Sequence, residues 1–289
     1  MTDHGVYTRA DLDRHGISGR ALRRALADGR VTRPARGWYA RADADPRVVD
    51  AVTGHGAVSC LTALSMHGVW VPPHDKELHL RGNSQATRAN PERYCSQYGR
   101  PEPVHAPVDH PILALRHAIR CVDRDEIIAI CDSMLNRYWR SQAGEPDTDE
   151  ALPTPTAIRA AFADAPAEVR ARLDWCDARA QSGTESLVRV RLRGNGIAVR
   201  SQVHIPGLGH VDLLAGELLI IEVDSRAHHT GAENYQEDRR RDQVSASSGY
   251  LRMRVTYADV VHHWPATEAR ILKAIRARHH RAPRRRKTS

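Results

Sequence analysis

His210-Val211-Asp212-Leu213-Leu214-Ala215-Gly216-Glu217-Leu218-Leu219-Ile220-Ile221-Glu222-Val223-Asp224 reads as two strands joined by a very short connection. Gly216 and Glu217 leave room only for a tight turn, so the strands are expected to be antiparallel neighbours. Asp212, near the start of the first, then lies across from Glu222 and Asp224, near the end of the second. Glu222 and Asp224 are two apart and share a face of the strand. They follow the apolar run Leu218-Leu219-Ile220-Ile221, which marks a central, buried strand. Gathering carboxylates at the end of such a strand is costly. A Mg²⁺ or Mn²⁺ ion removes that cost, because hard divalent cations take oxygen ligands. Such an ion also lowers the pKa of a bound water and stabilises charge on a scissile phosphate. The expected ligands are Asp212, Glu222 and Asp224.

Upstream, residues 198–205 read as another strand, and Pro206-Gly207-Leu208-Gly209 as its turn. Before it, Leu187, Val188 and Leu192 fit one face of a helix ending near Gly194, with Glu185 in its first turn. A Glu there either caps the helix or belongs to the carboxylate site. Downstream, His228 stands four residues past Asp224 and is a candidate general base.

The order Glu185, Asp212, Glu222-Val223-Asp224 resembles the PD-(D/E)XK nuclease superfamily. More closely, the sequence resembles the branch related to very-short-patch-repair endonucleases. Three motifs carry the resemblance: Glu222-Val223-Asp224-Ser225-Arg226-Ala227-His228, Asp238-Arg239-Arg240-Arg241-Asp242 and Gly249-Tyr250-Leu251-Arg252-Met253-Arg254. The similarity covers residues 183–265. It implies a restriction-endonuclease-like mixed sheet flanked by helices. It also implies a metal on Asp212 and Glu222 with Asp224 assisting, and His228 as base or acid. Arg241 and Arg254 would hold a phosphate. Ser225 stands where this branch has Gly, and Asp224 stands where the general motif has Lys.

At the other end, Thr8 and Ser18 are candidate N-caps of two short helices, the second from Gly19 to about Asp28. Ala21, Leu22, Ala25 and Leu26 form its apolar face, with Arg20, Arg23 and Arg24 opposite. Val31-Thr32-Arg33 and Gly37-Trp38-Tyr39 read as two strands around Pro34. This order suits a winged helix-turn-helix module, with the second helix in the major groove and Arg33 and Arg36 at phosphates. Its ending, Arg33-Pro34-Ala35-Arg36-Gly37-Trp38-Tyr39-Ala40, is similar to the wing of the abortive-infection type IV antitoxin family.

The fold class expected is therefore α/β or α+β. The layout is a winged module over 1–45, a mixed antitoxin-like scaffold over 46–140, a linker over 141–156, a nuclease-like domain over 157–280 and a basic tail over 281–289. Helical periodicity is expected over 57–67 and 112–139, with Asp123 as an N-cap, and a strand over 77–81. The net charge of +8 concentrates at the ends: +4 over residues 1–40 and +7 over 276–289, against −3 between them. Such clusters attract polyanions by releasing counterions. No apolar run is long enough to span a bilayer, and five scattered cysteines without a C-x-x-C suggest reduced thiols in a cytoplasmic protein. His55, His67, His74 and His79 lack metal-ligand spacing and are expected at the surface or in packing.

The leading functional reading is a Mg²⁺- or Mn²⁺-dependent DNA endonuclease or nickase, with DNA held by the winged module. The alternative is a non-catalytic DNA-binding regulator or antitoxin whose nuclease-like fold is retained as scaffold. A third reading is a module that binds a protein partner from a toxin–antitoxin or phage-defence locus.

Overall fold

A computed structural model describes residues 3–147, 152–224, 244–245 and 247–281. The chain is a mixed α+β protein with three small sheets among the described residues. It divides into two compact units, Met1–Ile127 with Arg140–Leu173, and Ile128–Trp139 with Asp174–Ser289.

The first unit opens with β1 (Val6–Thr8), α1 (Arg9–Arg14), α2 (Gly19–Ala27), β2 (Val31–Thr32) and β3 (Trp38–Arg41). Thr8 and Asp11 form a capping box on α1, and the Ser18 hydroxyl accepts the Ala21 N–H of α2 at 3.2 Å. Each cap satisfies a donor that the first helical turn leaves unpaired. Leu12 and Leu22 turn inward with Val6 and Ala40, all buried. The sheet order is β1-β3-β2, antiparallel throughout. Strand β1 was not expected. Its three residues carry no periodicity, and its partner β3 lies some thirty positions away.

The unit continues through α3 (Pro46–Thr53), β4 (Gly56–Val58), α4 (Cys60–Met66), β5 (Leu80–Gly82), α5 (Ser84–Ala89) and α6 (Pro111–Ala118). The long α7 (Arg124–Gln142) follows, with its middle, Ile128–Trp139, belonging to the second unit. Then come α8 (Pro155–Ala161), α9 (Ala167–Arg170) and a 3-10 turn, Ala171–Trp175, whose last two residues also belong to the second unit. The helix expected over 57–67 is shorter, because Gly56–Val58 pairs with Leu80–Gly82 instead. The helical stretch 112–139 is two helices, the second starting at the expected cap. Asp123 separates them by accepting the N–H groups of Asp125 and Glu126 at 2.8 Å each, as an N-cap does. Deep in this unit Arg81 Nε donates to Asp109 Oδ2 at 2.5 Å, both side chains almost fully buried. Arg81 also donates to the carbonyls of Glu102 and Pro103, so its fork of donors is largely used.

The second unit is built on α10 (Gly183–Gly194), β6 (Val199–Ile205), β7 (Gly209–Ala215), β8 (Leu219–Asp224), β9 (Leu251–Thr256), α11 (Tyr257–Val261) and α12 (Trp264–Arg276). The sheet order is β6-β7-β8-β9, with β8 and β9 parallel and the other pairs antiparallel. Central β8 is buried through Leu219, Ile220 and Ile221, as a strand covered on both faces must be. Gly216 turns the β7–β8 hairpin at φ +62, where a Cβ would collide with the His280 carbonyl oxygen. Only glycine meets both conditions at low cost. Helix α10 is pinned by Arg189, whose Nη2 donates to Asp132 Oδ2 at 2.5 Å and whose Nη1 donates to the Trp175 carbonyl. Ser186 Oγ and the Asp177 N–H also donate to the Asp132 carboxylate, at 2.7 Å each.

Candidate functional site

Two places hold candidate functional side chains. The first is the exposed surface of α2 and the β2–β3 connection. Helical spacing puts Arg20, Arg23 and Arg24 on one side of α2, and all three are exposed. Arg33 and Arg36 are exposed beside them in sequence, with the Arg33 guanidinium over the Tyr39 ring at 5.9 Å. Neighbouring charges differ: Arg9 pairs with Asp13, Arg14 with Asp11 and Arg30 with Asp28. Among the described residues no carboxylate pairs with Arg20, Arg23, Arg24, Arg33 or Arg36. Five cations therefore stay uncompensated in one short module, an arrangement that suits a phosphate backbone.

The second place is the edge of the β7–β8 hairpin. The ladder pairs Leu213 with Ile221, so Asp212 and Glu222 fall opposite one another at its next step. The Asp212 N–H donates to Glu222 Oε2 at 3.3 Å, and the Val223 N–H donates to Asp212 Oδ2 at 2.8 Å. Glu222 is buried and pairs with Arg252 Nη2 at 3.3 Å. Glu185, in the first turn of α10, is buried too. Its N–H donates to the Ser182 hydroxyl at 3.1 Å, and its Oε2 accepts the Gln181 N–H at 3.1 Å. Glu185 therefore does both things open to it, closing the helix start and facing the carboxylates. Burial is the main force raising the pKa of Asp212, followed by the negative charge of Glu185. Burial likewise raises Glu185.

Gln202 ties this group together. Its Nε2 donates to Glu185 Oε2 at 3.0 Å and to Asp212 Oδ1 at 3.4 Å. Its backbone is left-handed, at φ +51, in the middle of β6. The ladder runs through Ser201↔Leu213 and Val203↔Val211 but skips this position. Such backbone strain in a non-glycine residue costs of order 1–3 kcal/mol and collects at functional sites. Sequence reading missed both Gln202 and Arg252. Counting back from the turn at 206–209 puts residue 202 opposite 212, and that was the one available signal. Arg252 depends on the parallel register of β9, which no local pattern encodes.

The remaining expected residues are exposed on β8 and β9 or lie outside the described residues. Asp224 closes β8 exposed, its backbone paired with Thr256. Arg254 is exposed on β9 in register with Glu222. His228, Arg241 and the run 238–242 lie outside the described residues.

The first module is two short helices with a three-stranded antiparallel sheet. Residues 2–42 match the model of a family described as a transcriptional regulator, AbiEi antitoxin. No curated protein and no solved structure matches the chain. No helix among the described residues is long and apolar enough to cross a membrane.

Proposed function

We propose that this protein is a DNA-binding transcriptional regulator of antitoxin type, holding duplex DNA through α2 and the wing. The observation that carries this reading is the set of five arginines without carboxylate partners on that module, which is also the segment similar to the AbiEi regulator family. Binding of this kind displaces counterions, so affinity falls steeply with salt. The test is fluorescence anisotropy with DNA from upstream of the protein's own gene and with unrelated DNA of equal length, over a salt series. Tighter, salt-sensitive binding to the former supports a regulator. Equal binding to both, or none, overturns it. A protein partner from the same locus, expected of an antitoxin, would be sought by co-purification with neighbouring gene products.

A second reading, an endonuclease or nickase, rests on Glu185, Asp212 and Glu222 and draws no support from the similarities to known proteins. Three carboxylates on or beside one hairpin are oxygen donors of the kind Mg²⁺ or Mn²⁺ takes. Burial first, and then neighbouring carboxylate charge, raises the pKa of Asp212 and Glu185, and a bound cation would offset both. Asp212 and Glu222 would hold the ion, with Glu185 and Gln202 fixing their orientation. When bound, it would polarise a scissile phosphate and a water. Arg252 pairs with Glu222 at 3.3 Å and would help fix the orientation of that carboxylate. Purified protein that leaves supercoiled, linear, mismatched and branched DNA uncut with either metal rules this reading out. Nicking abolished by Asp212→Ala establishes it.

A further inference from the structure

Cys60, His79, Cys95 and Cys121 come from four separate places in the first unit. Cys60 begins α4, His79 leads into β5, Cys95 lies beyond α5, and Cys121 follows α6. One donor atom from each lies within 4.8 Å of all the others. Cys95 Sγ is 3.3 Å from His79 Nδ1. In a tetrahedral zinc site with Zn–S bonds of about 2.3 Å, neighbouring sulfurs stand roughly 3.8 Å apart. The cluster therefore needs only a small contraction to close on an ion. We propose that these four residues bind one structural zinc ion.

Local structure holds each donor in place. The His79 N–H donates to the Thr62 hydroxyl at 2.9 Å, and its carbonyl accepts the Ser59 N–H at 3.0 Å. Those bonds keep the imidazole against the start of α4. The Cys95 N–H donates to the Leu80 carbonyl at 2.7 Å, which sets its thiol beside His79. Cys60 sits at φ +52, a left-handed backbone that a non-glycine residue adopts at a cost. Three thiolates and a neutral imidazole around Zn²⁺ leave one net negative charge, and Lys76 Nζ lies 3.9 Å from Cys95 Sγ to balance it.

The donor set names the metal. Thiolates and imidazole select Zn²⁺ over Mg²⁺, and four protein ligands leave no open position for substrate, so the role is structural. Cys60, His79 and Cys95 are buried while Cys121 is exposed, which gives the ion a way in. The other two cysteines provide an internal control. Cys131 and Cys176 contact each other in the second unit without belonging to such a group. A disulfide would use two of the three thiols and leave the third and the imidazole unexplained.

The test uses the full chain, purified in a phosphine reductant and analysed for metal by mass spectrometry. Wild type should carry one zinc per chain, Cys121→Ser should lose most of it, and Cys176→Ser and Asp212→Asn should keep it. Cobalt added to the stripped protein should give intense near-ultraviolet thiolate-to-cobalt bands, absent with Mg²⁺ and lost in Cys121→Ser. If Cys121→Ser does not fold, the wild-type cobalt spectrum decides alone. A zinc-free chain with no such bands overturns the proposal. So does zinc retained in a folded Cys121→Ser, or a disulfide among residues 60, 95 and 121 in the protein isolated without reductant.

Discussion

The two clusters of potential ligands differ in both donor chemistry and origin. In the second unit, two of three carboxylates come from one hairpin, so their meeting follows from a turn and a strand register. In the first unit, three thiols and an imidazole converge from loops and helix ends spread over sixty residues. Hard oxygen donors suit Mg²⁺-like ions and soft sulfur donors suit zinc. Each cluster leans on a buried Arg–Asp pair. Arg81–Asp109 braces β5 two residues past His79, and Asp132–Arg189 braces α10 one turn past Glu185. Burial raises the pKa of Asp132 in its supporting pair as it raises Asp212 and Glu185 in the carboxylate group. What differs is the neighbour: Asp132 faces the Arg189 guanidinium, whereas Asp212 faces the negative charge of Glu185.

That comparison can be broken most forcefully at the supports. Asp132→Ala leaves Arg189 buried and unpaired and is expected to cost about 3–5 kcal/mol in urea denaturation. Asp109→Ala should cost a similar amount in the first unit. If either change is worth less than about 1 kcal/mol, the two supports are not equivalent and the parallel fails.

A smaller effect is expected on DNA binding. The double change Arg23→Ala with Arg24→Ala should weaken binding to all sequences alike. It should also flatten the log–log salt dependence by about one for each phosphate that the protein no longer neutralises. An unchanged slope would remove α2 from the interface. Thr8→Ala removes the α1 capping box and should cost about 1 kcal/mol, with DNA affinity unchanged once the protein is folded.

The smallest shift carries an informative sign. Asp212→Asn keeps an oxygen for the Val223 N–H but removes a desolvated charge. The folded-state pKa of Asp212 is raised, so its protonated form supplies stability below the ordinary carboxylate range. That contribution disappears as pH rises through the raised value. Without metal, Asp212→Asn should therefore melt slightly higher than wild type near neutral pH, with the gap closing in acid. A variant that melts lower at neutral pH would show the carboxylate to be stabilising rather than strained.

Much of the second unit was legible because its signals are local. An apolar run and a Gly-containing two-residue turn defined the β7–β8 hairpin and put residues 212 and 222 together. The caps at Thr8, Ser18 and Asp123 were legible for the same reason, since a side chain two or three residues away satisfies the helix start. What escaped depends on separated segments meeting. Strand β1 exists because β3 returns to it, and Gln202 matters because its backbone turns left-handed against β7. His79 was expected to be a surface or packing residue because no ligand lies near it in sequence, yet the fold sets it against three thiols. Residues a few positions apart constrain one another through backbone geometry that the sequence encodes directly. Cys60, His79, Cys95 and Cys121 share no such constraint, and only the packing of β5 and the ends of α4 and α6 brings their donor atoms within reach of one ion.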